Sequence, residues 1–184
     1  MNDIARRAIV LGGLAMTTTP TQAAGPKRAW DFSFPAIEGG TIELADMRGR
    51  VLMVVNTGSF CGFTPQYEGL QALHEAHRGD GLTVIGVPSR DFNQESATNA
   101  EVQRFCETRF GIDFPMTGIL GVRGDAAHPF YRWVREERNW EPGWNFNKVL
   151  IGRDGRVAAV FGASDAPAGK RVSGAVAEAL AAGM

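Results

Sequence analysis

Two cysteines, Cys61 and Cys106, are the side chains of this chain best suited to covalent chemistry. A cysteine thiolate is a nucleophile that can attack the O–O bond of a peroxide, and two thiols can pair as a disulfide. The three histidines, His74, His77 and His128, show no spacing typical of zinc ligands, and His74 and His77 are expected on a helix surface. The reactive residue types therefore indicate thiol redox chemistry without a metal.

Cys61 lies in a segment that the pattern places between a buried strand and a helix. The apolar, β-branched run at 51–55 predicts the strand, and Thr64 and Pro65 predict the start of the helix as its cap and first turn. A helix N-terminus carries unpaired N–H groups and partial positive charge, which favour thiolate over thiol. The alternative is a small buried cysteine, but the small or polar neighbours Ser59 and Gly62 favour a reactive one.

The elements that must position Cys61 follow an order of strands and helices typical of an α/β domain. Residues 82–88 predict a second buried strand, parallel to the first because a helix joins them. Asp154-Gly155 predicts a late β-hairpin, and Glu38-Gly39-Gly40 predicts an N-terminal one. Further helices are predicted around 102–110, at 129–138 and at 166–182. We therefore expect a thioredoxin-like fold, a central mixed β-sheet flanked by helices with an N-terminal β-hairpin.

Composition fits one globular domain after an export signal. The chain has 184 residues, of which 44% are hydrophobic, and a formal net charge of −1, so it lacks the basic excess expected of nucleic-acid binding. Residues 1–24 pair Arg6-Arg7 with an apolar stretch and small residues, a layout typical of a signal peptide cleaved near Ala23 or Ala24. The alternatives are an amphipathic N-terminal helix or a retained anchor. We expect residues 25–184 to form the exported domain, in a bacterial periplasm, through either the general or the twin-arginine route.

Two segments resemble the glutathione peroxidase family. Residues 56–67, Asn-Thr-Gly-Ser-Phe-Cys-Gly-Phe-Thr-Pro-Gln-Tyr, resemble its signature around the redox residue, and Trp144-Asn145-Phe146-Asn147-Lys148 resembles its Trp-Asn-Phe segment. The resemblance extends over about 30–163. It implies a peroxidase that reduces hydrogen peroxide or organic hydroperoxides with an external thiol donor, either glutathione or a thioredoxin-like protein, and with no bound cofactor.

The family resemblance implies a catalytic tetrad of cysteine, glutamine, tryptophan and asparagine. Cys61 matches the nucleophile, and Trp144 and Asn145 match two members whose N–H groups can donate to a thiolate or a peroxide oxygen. Asp91 stands where the Pro-Cys-Asn-Gln-Phe pattern has its glutamine. An ionised carboxylate accepts hydrogen bonds but donates none, so Asp91 is expected either to accept a proton or to pair with Arg90 outside the pocket. On this assignment, replacing Asp91 by Gln is expected to speed the peroxide reaction.

The resemblance also implies how the oxidised enzyme is restored. Cys106 falls in the helical region where thioredoxin-dependent relatives carry a resolving cysteine, which would condense with a Cys61 sulfenic acid after local unfolding. Cys106 packed as an ordinary helix residue is the alternative. Phe60 replaces a lysine that many relatives have before the cysteine. The short segment 139–143 implies a monomer, because the insertion that builds tetramer contacts in some relatives is missing.

Two other functions remain open at this level. A thiol–disulfide oxidoreductase would need Cys-x-x-Cys, and Cys61-Gly62-Phe63-Thr64 does not supply it. A non-catalytic thioredoxin-fold binding module would use Cys61 and Cys106 as a structural disulfide. A single reactive, peroxide-consuming thiol distinguishes the peroxidase from both.

Overall fold

The structure, a computed structural model, describes residues 25–183, and its centre is a four-stranded mixed sheet. In chain order the strands are β1 (Ser33–Pro35), β2 (Thr41–Glu43), β3 (Val51–Thr57), β4 (Leu82–Pro88), β5 (Lys148–Ile151) and β6 (Val157–Phe161). The sheet runs β4-β3-β5-β6, with β3 parallel to β4 and the other pairs antiparallel. The strands β1 and β2 form a separate N-terminal hairpin, as predicted.

Helices cover both faces of this sheet because β3 is apolar on both sides. The helices are α1 (Gln66–His77), α2 (Asn99–Phe110), α3 (Pro129–Arg138) and α4 (Lys170–Ala181). Val51, Met53 and Val55 pack in one apolar cluster with side chains of α1, α2 and α4. Leu52 and Val54 point to the opposite face and pack with α3 and the hairpin. The predicted thioredoxin-like α/β fold is confirmed.

Two helix starts differ from the sequence prediction. Helix α1 begins at Gln66, and Thr64 does not cap it because the Thr64 hydroxyl is used by the Cys61 loop. Helix α4 begins at Lys170, since the chain at 166–169 forms a turn in which Gly169 N donates to Ala166 O. The expected surface position of His74 is also wrong. Its ring is buried over β4, where Nδ1 accepts from Val84 N at 3.4 Å.

Local signals explain the ends of α2, the helix that carries Cys106. Thr98 accepts from Glu101 N at 3.3 Å, while the Glu101 carboxylate accepts from Thr98 N at 3.1 Å, a reciprocal capping box. Gly111 ends the helix in the left-handed conformation, with φ at 59°. Helix α2 is therefore bounded by its own sequence at both ends.

The predicted signal peptide, residues 1–24, lies outside the described residues. Within 25–183, no helix has the length and apolar character needed to cross a membrane.

Candidate active site

Cys61 lies in a loop between β3 and α1 and is buried, with 7% of the residue exposed. The loop is tied to itself: Cys61 N donates to Thr64 Oγ1 at 3.1 Å, and that hydroxyl donates to Gly58 O at 2.8 Å. Phe63 N donates to Cys61 Sγ at 3.4 Å. A backbone N–H that points at sulfur stabilises negative charge on it. The sequence analysis predicted such stabilisation from the helix N-terminus and did not include the Phe63 N–H.

Asn145 is fully buried and is held by a glutamine that the sequence assignment missed. Asn145 Nδ2 donates to Gln94 Oε1 at 3.0 Å. The main chain of Gln94 reaches the cysteine loop as well, because its carbonyl accepts from Phe60 N at 3.0 Å. A Cβ atom placed on Gly58 would lie only 2.6 Å from Asn145 Nδ2. These contacts bring Asn145 and Gln94 against the loop that carries Cys61.

Trp144 lies at the surface beside these residues. Its side chain is 42% exposed, and its ring centroid is 5.5 Å from that of Phe92. Its carbonyl accepts from Asn56 Nδ2 at 2.9 Å and from Asn147 Nδ2 at 2.7 Å, which holds the main chain while the indole stays accessible. Phe60, next to the nucleophile, is 67% exposed.

The structure gives Asp91 a different place from the one expected of the family glutamine. Asp91 Oδ2 accepts from Val122 N at 2.6 Å and from Arg123 N at 3.1 Å, so the carboxylate anchors a loop. The glutamine beside Asn145 is Gln94. The sequence signal for Gln94 is the segment Phe92-Asn93-Gln94-Glu95, in which the glutamine comes three residues after Asp91. Asn93 in this segment adopts the left-handed conformation, with φ at 55°.

Cys106 is 1% exposed on α2 and packs in the same apolar cluster as Cys61. Both cysteines are free thiols in this structure. Burial raises the pKa of the Cys106 thiol to about 11, the Tyr67 hydroxyl partly opposes the rise, and the Glu95 carboxylate adds to it. In this conformation Cys106 is therefore a buried, protonated thiol.

No metal centre competes with this thiol site in the part of the chain that the structure describes. Residues 25–183 hold no group of three or more His, Cys, Asp or Glu side chains that could bind an ion. The buried polar atoms beside the nucleophile belong to hydroxyl, amide and carboxylate groups. The thiol site therefore has neutral hydrogen-bond donors and one buried carboxylate, that of Glu95, which accepts from Ser59 N at 3.2 Å.

Comparison with known proteins gives one consistent family. The glutathione peroxidase family profile matches residues 29–135. A glutathione peroxidase of Lactococcus lactis subsp. cremoris is 40% identical over 143 residues, which cover 75% of this chain and 91% of the relative. A hydroperoxy fatty acid reductase of Synechocystis is 39% identical over 152 residues, covering 75% of this chain and 88% of the relative.

Solved structures agree with the sequence relatives. The apo form of Trgpx is 30% identical, with a TM-score of 0.67 over 84% of this chain and 96% of that one. The GPX1 of T. cruzi is 28% identical, with a TM-score of 0.66 over 84% and 97% of the two chains. A thioredoxin-family interchange protein of Chlorobium tepidum, 17% identical, shares the fold alone, with a TM-score of 0.64 over 86% and 99% of the two chains.

These matches exclude the non-catalytic binding module, because a family profile and full-length relatives named as peroxidases align across the cysteine signature. The peroxide is the substrate and an external thiol is the electron donor. Together with the fold and the Cys61 loop, they show that this chain is a thiol-dependent peroxidase and belongs to the glutathione peroxidase family.

Proposed function

We propose that Cys61 is the peroxidatic nucleophile and that Gln94, Trp144 and Asn145 complete its site. The observation that carries the proposal is the Asn145–Gln94 hydrogen bond at 3.0 Å, packed against Gly58 of the cysteine loop. Trp144 and Asn145 lie beyond the 29–135 match, so their assignment rests on the resemblance and on this geometry. Asp91 supports the loop at 122–123 instead of the reaction.

The reaction follows from a thiolate beside neutral N–H donors. The Cys61 thiolate attacks one peroxide oxygen, the S–O bond forms, and the O–O bond breaks. The departing oxygen takes a proton and leaves as water or an alcohol, and Cys61 becomes a sulfenic acid. Amide and indole N–H groups stabilise the negative charge that develops on the departing oxygen.

Stopped-flow mixing of reduced protein with hydrogen peroxide tests this assignment. Cys106→Ser is expected to lose one thiol per chain, wild-type protein is expected to lose two as the sulfenic acid is converted to the disulfide, and Cys61→Ser is expected to lose none. Mass spectrometry of the dimedone adduct locates the sulfenic acid. A dimedone adduct on Cys106 in the wild type, with Cys61 unmodified, contradicts the proposal.

Cys106 is proposed as the resolving cysteine. Its thiol attacks the Cys61 sulfenic sulfur, the S–S bond forms, and hydroxide leaves with the thiol proton as water. An external dithiol then reduces the disulfide. If Cys106→Ser turns over at the wild-type rate with a dithiol reductant, Cys106 is a packed helix residue.

The exposed aromatic side chains of Phe60 and Trp144 favour organic hydroperoxides as substrates. Phe60 precedes the proposed nucleophile in the chain, Trp144 packs beside Phe92, and one relative is named for hydroperoxy fatty acids. We expect Phe60→Gln to lower the rate with linoleic acid hydroperoxide more than the rate with hydrogen peroxide, and Phe60→Leu to retain the preference. Equal losses with the two peroxides would exclude Phe60 from substrate selection.

Export to a bacterial periplasm and a monomeric state complete the proposal. The charged, apolar and small segments of residues 1–24 support export, and the short connection at 139–143 supports a monomer. Fractionation of the expressing cell, with N-terminal sequencing of the protein, tests export. Light scattering of the processed protein tests the monomeric state.

A further inference from the structure

Lys148 is a buried lysine that the peroxidase chemistry does not use. It lies at the start of β5 and is fully buried. Its Nζ donates to Phe146 O at 2.7 Å and to Gln66 Oε1 at 2.7 Å. Burial lowers the pKa of Lys148 to about 8, and the Asp165 carboxylate partly offsets that effect. Because an apolar side chain would cost less to bury, the role of Lys148 lies in what its two hydrogen bonds hold.

One bond holds a residue in an unfavourable backbone conformation. Phe146 is fully buried with φ at 60°, in the left-handed region that few non-glycine residues occupy. Such a residue persists only where the surrounding structure enforces its conformation. Lys148 donates to the Phe146 carbonyl, and Phe146 N donates to Asn56 O at 2.6 Å. This left-handed residue immediately follows Trp144 and Asn145 in the chain.

The other bond reaches the helix that follows the nucleophile. Gln66 is the first residue of α1, and its Nε2 donates to Ala163 O at 2.6 Å, which fixes the amide that Lys148 binds. Tyr67, the next residue of α1, packs edge-to-face on Phe146 with ring centroids 5.3 Å apart. A single ammonium group thus joins the Trp144–Asn145 turn to the helix that begins after Cys61.

We propose that Lys148 is a positioning residue, which sets Asn145 and Trp144 against Cys61 by joining the Phe146 carbonyl to Gln66 of α1. The inference rests on the proposed roles of Cys61, Trp144 and Asn145. Lys148 touches neither sulfur nor peroxide. It acts through the geometry of the turn, and a misplacement of about 1 Å in such a site can cost ~100-fold in rate.

The test is the second-order rate of Cys61 oxidation by hydrogen peroxide in Lys148→Met, Asn145→Ala and the double variant. Each single variant is expected to slow the reaction about 10- to 100-fold. Because Lys148 acts through Asn145 as well as Trp144, the double variant is expected to lose less than the product of the two single losses. A wild-type rate in folded Lys148→Met overturns the inference, and so does a second, multiplicative loss in the double variant.

Two further variants separate positioning from general stability. Val134→Ala removes buried volume on α3, in the apolar cluster on the opposite face of the sheet from Phe146 and Cys61, and is expected to lower the melting temperature without slowing Cys61. If Lys148→Met does not fold, Gln66→Met breaks the same link at a half-buried site and is expected to slow the reaction. A wild-type rate there overturns the inference. A wild-type rate in Asn145→Ala instead overturns the proposed site itself.

Discussion

Gln94 and Asn145 form the side-chain pair on which the proposed reaction depends. Asn145 Nδ2 donates to Gln94 Oε1, and the Gln94 Nε2 group is a donor that the proposal assigns to the substrate. Asp91, the residue at the expected glutamine position, is occupied with the N–H groups of Val122 and Arg123. We therefore expect Gln94 to affect the rate of the reaction and Asp91 to affect the stability of the fold.

Gln94→Ala is expected to slow Cys61 oxidation by about 10- to 100-fold, because a hydrogen bond to a charged group contributes ~1.5–3 kcal/mol. Asp91→Asn is the matched control, with an unchanged rate and a lower melting temperature. Stopped-flow oxidation and thermal unfolding measure the two effects. A faster reaction in Asp91→Gln would restore the sequence-based assignment, which the observed hydrogen bonds argue against.

Cys106 and Lys148 give the free energy of unfolding opposite dependences on pH. The folded pKa of Cys106, about 11, is above the unfolded value of ~8.5, so its contribution is complete below ~8.5 and lost as pH rises through about 11. The folded pKa of Lys148, about 8, is below the unfolded value of ~10.4, so its contribution is complete above ~10.4 and lost as pH falls through about 8.

The two contributions oppose each other between about pH 8.5 and 10. Reduced wild-type protein is therefore expected to change little in stability over that range. Cys106→Ser is expected to gain stability as pH rises, and Lys148→Met to lose it, by at most ~1.4 kcal/mol per pH unit. Urea unfolding under reducing conditions measures the slopes. If the free energy of unfolding changes with pH in the same direction in both variants, neither group titrates as described.

At the scale of elements, the proposed resolving role of Cys106 predicts that α2 opens before the disulfide forms. The helix is bounded by the Thr98–Glu101 capping box, so its opening can be changed without touching either cysteine. Thr98→Ala removes the cap at a cost of about 1 kcal/mol. We expect formation of the Cys61–Cys106 disulfide after peroxide to speed up by about fivefold, with sulfenic acid formation unchanged.

Quenched-flow trapping of free thiols measures that step. Ser173→Ala on α4 is the control, since its hydroxyl donates to Gly169 O within its own segment. An unchanged rate of disulfide formation in Thr98→Ala would mean that opening of α2 does not limit it.

The loop after β3 is close enough to Asn145 that only glycine fits at position 58. A Cβ atom at this position would lie 2.6 Å from the Asn145 amide nitrogen and 3.0 Å from the Gln94 carbonyl oxygen. Gly58→Ala is expected to displace Asn145 and slow Cys61 oxidation by at least about tenfold. Gly79→Ala, which meets open space, is the matched control. Comparable rates for the two variants would contradict this role of Gly58.

At the scale of the whole molecule, β3 joins two apolar clusters that lie on opposite faces of the sheet. Within residues 25–183, these clusters draw their side chains from Ala29 to Leu180, and they cover both faces of the sheet. A chain that begins at Gly25 is therefore expected to keep the melting temperature and the Cys61 oxidation rate of the full chain. A lower melting temperature would show that residues 1–24 contribute to the fold.

Short-range patterns in the sequence were enough to predict the main elements and to single out Cys61 as the proposed nucleophile. Val51–Val55 is apolar at every position and 82–88 is largely apolar, which indicates buried parallel strands, and Asp154-Gly155 identifies the β5–β6 turn. The Cys61 signature lies in one continuous segment after the first of those strands. Helix starts are harder to predict, because side chains such as Thr64 can bond to the loop before them.

Which residues meet at Cys61 depends on the folding of the whole chain. Gln94 and Asn145 are 51 positions apart, and Gln66 and Lys148 are 82 apart, so no local pattern relates them. Asp91 is turned away because two loop N–H groups needed an acceptor. A charged lysine also could not be assigned to the interior from its residue type. Its burial depends on acceptors that come together only in the folded chain.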